Sequence, residues 1–185
     1  GIYHSFALTN DGTVRAWGYN ASGQLGNGTT VNQSQPVAVS GLAGAVAVAA
    51  GGYHALAVLA DGTMRGWGLN LSGQAGNGTL TNQSSPVAVL GLAGAVAASA
   101  GDYTSAAVSA DGSLWTWGSN TLGKLGDGTT VDRSAPVRIL TPSITFEGSL
   151  DGGPFTAESH RVVIRILEEI LIRDDDEFME PRAVV

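Results

Sequence analysis

A unit of 50 residues recurs three times in register, and this constrains the fold more than any other feature of the chain. Gly1, Gly51 and Gly101 open the copies, and each then carries Tyr at 3, 53 and 103 and Asp-Gly at 11, 61 and 111. Trp-Gly follows at 17, 67 and 117, Asn at 20, 70 and 120, and Pro-Val at 36, 86 and 136. Copies one and two share 33 of 50 residues; copy three shares 18 of its first 40 with copy two. A fixed period of this length marks a unit that cannot bury its own apolar face and must stack on its neighbours. The chain is expected to present a surface rather than run chemistry.

Within each copy, short apolar runs alternate with glycine-rich punctuation, which reads as β-structure. Ser5–Leu8 and Thr13–Trp17 flank Asp11-Gly12 and read as a hairpin closed by a tight primed turn. Pro36–Val39 and Ala45–Ala49 are two further strands, bridged by Gly41–Gly44. Four strands per unit with no helical period predict an all-β propeller of about three four-stranded blades in an open arc. The repeats occupy 1–50, 51–100 and 101–140. Trp17, Trp67 and Trp117 read as plugs between neighbouring sheets, with Gly26, Gly76 and Gly126 as framework positions.

The strings Trp17–Thr29, Trp67–Thr79 and Trp117–Thr129, with Gly-Ile-Tyr-His4 and Asp11-Gly12 upstream, resemble the repeat of the regulator-of-chromosome-condensation family. The resemblance covers the three copies and implies a propeller that in this family closes with seven blades of four strands. Three blades leave two open edges. The expectation is therefore a piece of a larger propeller, or an arc that forms homo-oligomers through those edges. Relatives include a nucleotide-exchange factor for a small nuclear GTPase, a plant ultraviolet-B photoreceptor and a secreted inhibitor of β-lactamases. Their functional residues do not map onto positions of this chain.

Candidate chemistry is sparse. His4 and His54 hold equivalent places, but copy three has Thr104 there, and a zinc site needs about three protein ligands, so they read as structural. No Gly-x-Ser-x-Gly elbow and no phosphate-binding glycine pattern occurs. Asp11, Asp61 and Asp111 read as turn residues. No catalytic, cofactor or metal residue is expected, and the chain is read as a non-enzyme. Six Asn-x-Ser/Thr triplets begin at Asn20, Asn27, Asn32, Asn70, Asn77 and Asn82, and copying of an Asn/Gly/Thr-rich repeat explains them.

Loop positions that vary on the constant framework are the candidate partner contacts: Tyr19, Leu69 and Ser119 at one position, and Ala21, Leu71 and Thr121 at another. The formal net charge of −7 argues against direct nucleic-acid binding. No apolar run is long enough to insert into a membrane. The single lysine, Lys124, and the absence of cysteine fit a bacterial surface or secreted protein. The function expected is a scaffold for protein–protein contact with a partner the sequence does not name; small-GTPase regulation and enzyme inhibition are the alternatives. Beyond the repeats, 141–156 reads as a linker and 157–185 as an amphipathic helix with an acidic tail.

Overall fold

A computed structural model describes residues 1–139; the expected linker, helix and acidic tail lie outside them. The eleven strands are β1 (His4–Leu8), β2 (Val14–Gly18), β3 (Gln33–Ala38), β4 (Ala45–Ala50), β5 (His54–Leu59) and β6 (Met64–Gly68). They continue as β7 (Gln83–Ala88), β8 (Ala95–Ala100), β9 (Thr104–Ser109), β10 (Leu114–Gly118) and β11 (Arg133–Arg138). All pair antiparallel, in three sheets ordered β1-β2-β3, β4-β5-β6-β7 and β8-β9-β10-β11. One 3-10 turn, Thr121–Gly123, interrupts the β-structure.

The sheets are out of phase with the repeat. Ala45–Ala50 closes the first 50-residue unit but pairs with β5 of the second, Ala50 opposite Ala55 and Ala49 opposite Leu56. Gly41–Gly44 therefore carries the chain from one sheet to the next and does not close a hairpin. Leu42 and Ala45 on either side of Gly44 are buried with Val39 in the core between sheets one and two, which fixes this crossing. The second and third sheets have four strands; the first has three among the described residues.

The Asp-Gly turns also differ from the primed type. Gly12 N donates to Thr9 O at 3.0 Å and Thr9 N to Thr13 O at 2.9 Å. Gly12 has φ +76°, whereas Asp11 stays outside the positive-φ region. This is a type I turn followed by a left-handed glycine, a longer hairpin loop than the two-residue turn. Asp11 Oδ1 holds it by accepting from Thr13 N at 3.0 Å, Thr13 Oγ1 at 2.8 Å and Thr9 Oγ1 at 2.6 Å.

Pro36, Pro86 and Pro136 sit in the outer strand of each sheet, where a missing N–H breaks no ladder. There the outer strand bulges: Ala16 faces Val37 but Gly18 faces Gln33. The inner strands β4 and β8 face one another, so the sheets stack side by side about a common axis.

Each junction is sealed by a tryptophan. Trp67 and Trp117 are fully buried, and their Nε1 groups donate to the carbonyls of Gln24 and Gln74 in the preceding blade, at 2.9 and 2.8 Å. Gly26 and Gly76 leave the room: a Cβ at either would stand 2.8 Å from the Nε1 of Trp67 or Trp117. Truncating a buried tryptophan to alanine costs about 3–5 kcal/mol, so these junctions hold the array together. Trp17, in the first sheet, is half-buried.

Candidate interaction face

The strands run between two faces of different chemistry. One, the turn face, carries the Asp11, Asp61 and Asp111 turns and the crossings at 39–44 and 89–94. The other, the loop face, carries the short joins at 51–53 and 101–103 and both ends of the long loops 19–32, 69–82 and 119–132. In the first two of these loops the middle runs back along the blade to the crossing, where Ser40 N donates to Gly26 O and Leu90 N to Gly76 O. Tyr19 N, Leu69 N and Ser119 N donate to the carbonyls of Tyr3, Tyr53 and Tyr103, each at 2.9 Å, and so tie the long loops to the joins.

Each long loop is built around one buried asparagine. Asn20 Nδ2 donates to Thr29 O and Val31 O at 3.0 Å and to Asn27 Oδ1 at 3.2 Å. Asn20 Oδ1 accepts from Leu25 N at 2.9 Å, and Asn20 N donates to Asn32 Oδ1 at 2.8 Å. Asn70 and Asn120 repeat the pattern, and all three are fully buried. Asn20 and Asn70 therefore head two of the six triplets with no accessible side chain to modify. In the third loop Asp127 and Asp132 replace Asn27 and Asn32, and Arg133 Nε donates to Asp127 Oδ2 at 2.6 Å. Hydrogen bonds from Thr129 and Arg133 hold the Asp127 carboxyl well below its ordinary range.

These scaffolds hold up apolar side chains. Of the large apolar side chains exposed among the described residues, Ile2, Tyr3, Tyr19, Val31, Leu71, Leu80, Tyr103, Leu122 and Val131 stand on the loop face. Leu8, Val46 and Leu90 lie elsewhere. In the first two blades the joins and loops of this face contain no Asp, Glu, Lys or Arg; the third adds Asp102, Lys124, Asp127 and Asp132.

Three tyrosines, one per blade, form a ladder across the face. Tyr3 and Tyr53 have ring centroids 6.1 Å apart, as do Tyr53 and Tyr103, and Tyr19 meets Tyr3 edge-on at 6.2 Å. Tyr3 is 60% exposed and Tyr103 42% exposed, with Tyr53 half-buried between them.

Of the six loop positions singled out from the sequence, Tyr19, Ala21, Leu71 and Thr121 are exposed, Leu69 is half-buried and Ser119 is buried. Ser119 turns to Thr121, hydroxyl to hydroxyl at 3.2 Å. In the sequence the three tyrosines read only as repeat markers. Its signal was present: an invariant tyrosine just outside a strand, beside glycine and away from the tryptophan core.

Beneath the ladder, His4 and His54 are buried side chains of β1 and β5. His54 Nε2 shares a 2.9 Å hydrogen bond with Ser105 Oγ, which donates to Gln74 O at 2.8 Å. Ala55 stands at the position equivalent to Ser105, and neither ring nitrogen of His4 has a partner. Burial pulls the His4 imidazole down to about 4 and the His54 imidazole to about 3. Among the described residues no three His, Cys, Asp or Glu side chains gather as a metal site would require.

Repeated antiparallel blades, stacked around an axis with a tryptophan at each junction, define a β-propeller repeat protein. The "Regulator of chromosome condensation (RCC1) repeat" profile matches residues 11–58, 61–108 and 111–146, and a second profile of the same description matches 45–74 and 95–124. The chain belongs to the RCC1 repeat family. It is similar to the mitochondrial RCC1 domain-containing protein RUG3 of Arabidopsis thaliana, 44% identical over 54 residues, 28% of this chain and 12% of the relative. It is also similar to the human E3 ubiquitin-protein ligase HERC2, 50% identical over 44 residues, 24% of this chain and 1% of the relative. Both are eukaryotic, and the match spans only a small part of either. Among solved structures, yeast RCC1 (Prp20) bound to Kap60 superposes with a TM-score of 0.69 at 24% identity, covering 76% of this chain and 36% of that one. Human WBSCR16 superposes at 0.65 with 29% identity, covering 75% and 36%.

Proposed function

We propose that this chain is a non-enzymatic interaction module that contacts a protein partner through its loop face. The observation that carries the reading is the segregation of exposed apolar side chains onto that face, without a charged residue in the loops of two blades. A contiguous apolar patch on a soluble repeat protein is where partners bind. The loops beneath it are held by buried asparagines, so the surface is preformed and binding need not order it. Tyrosine beside serine, asparagine and glycine gives large rigid contact area at low entropic cost, the chemistry that recurs in binding loops.

A photoreactive benzoylphenylalanine placed at Leu71 or Leu122 in the 185-residue chain tests this, with the same group at Asp61 or Asp111 on the turn face as reference. Crosslinking of the same protein from the loop-face positions, and not from the turn face, is the expected result. Equal labelling from both faces, or labelling from the turn face alone, would sink the reading. The nucleotide-exchange alternative predicts faster release of labelled GDP from a small GTPase; the interaction-module reading expects the unstimulated rate.

A further inference from the structure

The tyrosine ladder carries more than a general stickiness, because its spacing is regular and the long loops of the first two blades beside it are uncharged. We infer that Tyr3, Tyr53 and Tyr103 form a track for an extended, uncharged polypeptide segment with an apolar or aromatic side chain at every second position. The inference rests on the interaction-module reading above and specifies what the loop face holds.

The pitch is the first argument. Both steps of the ladder are 6.1 Å between ring centroids. An extended strand rises about 3.2–3.4 Å per residue, less when twisted, and places alternate side chains on one side. Two residues therefore advance about 6.5 Å, close to one rung, whereas a polyproline helix returns to the same side only after about 9.3 Å. Rings tilted 51° and 32° to their neighbours leave a shallow notch between rungs, where an apolar side chain meets ring faces and edges together.

Charge is the second argument. The charge that reaches the second rung is the carboxylate of Asp102, and the loops at 19–32 and 69–82 offer amides, hydroxyls and backbone but no ionised group. A charged side chain lying there would lose water without compensation. At one end of the track Tyr19 stands edge-on to Tyr3, and the third blade brings the Asp102 carboxylate against Gly52, beside Tyr53. The segment thus meets no charged side chain from the long loops of the first two blades, and at Tyr53 the Asp102 carboxylate disfavours an acidic one.

The ladder is also accessible and well supported. The carbonyls of all three tyrosines are engaged by the long loops at 2.9 Å, so the backbone beneath the rings is fixed while the rings stay partly open to water.

Two capped heptapeptides of one composition test the proposal, Ser-Leu-Ser-Leu-Ser-Leu-Ser and its isomer Leu-Ser-Ser-Leu-Ser-Ser-Ser, titrated into the full chain with ring-labelled tyrosine followed by NMR. The alternating peptide should shift the Tyr3, Tyr53 and Tyr103 signals together and bind at least tenfold tighter than the isomer. Tyr53→Ser should weaken it at least tenfold with an unchanged thermal melt; Val46→Ser, beside the Gly44 crossing of the turn face, should not. Equal binding of the isomers overturns the inference, as does the absence of a response or a response to the neutral oligosaccharide cellohexaose alone. If Leu71 still crosslinks a protein while the peptides leave the tyrosines unmoved, the loop face binds a folded surface. Only the extended-segment inference then fails.

Discussion

At the scale of single residues, the chain's weak point is the pair of buried histidines. In the folded state burial holds His4 near 4 and His54 near 3, with the neighbouring amino terminus adding to the shift at His4. The unfolded chain binds protons at about 6.5. As pH falls below that value the unfolded state takes up protons that the folded state refuses, so stability declines from pH 6.5 towards 4. The slope reaches at most about 1.4 kcal/mol per pH unit for each histidine. Asp11, pulled down to about 2 by Thr9 and Thr13, contributes only below about pH 4, as do Asp61 and Asp111, so among the described carboxylates and imidazoles the window from 6.5 to 4.5 reports the two histidines. His54→Thr places there the residue that copy three carries at Thr104. Urea melts between pH 7 and 4.5 should show about half the wild-type loss of stability; an unchanged slope would refute the assignment. The structural reading of these histidines was legible from Thr104. The missing partner of His4 was not, because it depends on Ala55 replacing Ser105 across a blade junction.

At the scale of elements, strand existence followed directly from sequence, while strand pairing did not. Ala45–Ala50 alternates small and branched apolar residues whichever neighbour it pairs with, and only the buried Val39–Leu42–Ala45 crossing assigns it to the second sheet. Consequently β5 and β9 each have an inner partner, β4 or β8, and β1 has none among the described residues. A 520 Å³ cleft lies along it, lined by Ser5, Phe6 and Leu8 on one side and Ala47, Val48 and Ala50 on the other. The two equivalent places in the same molecule hold Ala-Val-Ala-Val-Ala-Ala and Ala-Val-Ala-Ala-Ser-Ala, which states what fits. A peptide copying Gly41–Ala50 should add to β1 in trans and raise the melting temperature, its stabilisation reaching about 2.7 kcal/mol at a hundredfold excess over its Kd. The same peptide with proline at the positions of Ala47 and Ala49 cannot donate there and should do nothing. Equal effects of the two would count against strand addition.

At the scale of the whole molecule, each blade contacts only its neighbours, and the contacts repeat. Gly28 N donates to Ser84 O at 2.8 Å and Gly78 N to Ser134 O at 2.9 Å, so the loop of one blade covers the outer strand of the next beside the tryptophan seal. The first blade therefore offers the half-buried Trp17 and an outer strand β3 without such a cover among the described residues. The third offers a loop of the kind that covers, with Leu122 92% exposed. These ends complement one another by the geometry that already occurs twice inside the chain, and they are unlike surfaces, so the contact is head-to-tail. Light scattering on a sizing column should show association of the 185-residue chain that grows with concentration, and Trp17→Asp should hold it monomeric. A wild-type chain that stays monomeric at every concentration would remove this contact.

The sequence by itself determined the repeat, its β character, the tryptophan at each junction and the asparagine in each loop. These follow from period, residue size and turn chemistry, which act over a few residues and recur with every copy. Only the tertiary structure decided which strands share a sheet, which face collects the exposed apolar groups, and that three tyrosines 50 positions apart stand about 6 Å apart. Those outcomes depend on how one blade packs against the next. Burial and strand pairing across a junction join residues that no local pattern relates, such as Trp67 with Gln24 and His54 with Ser105.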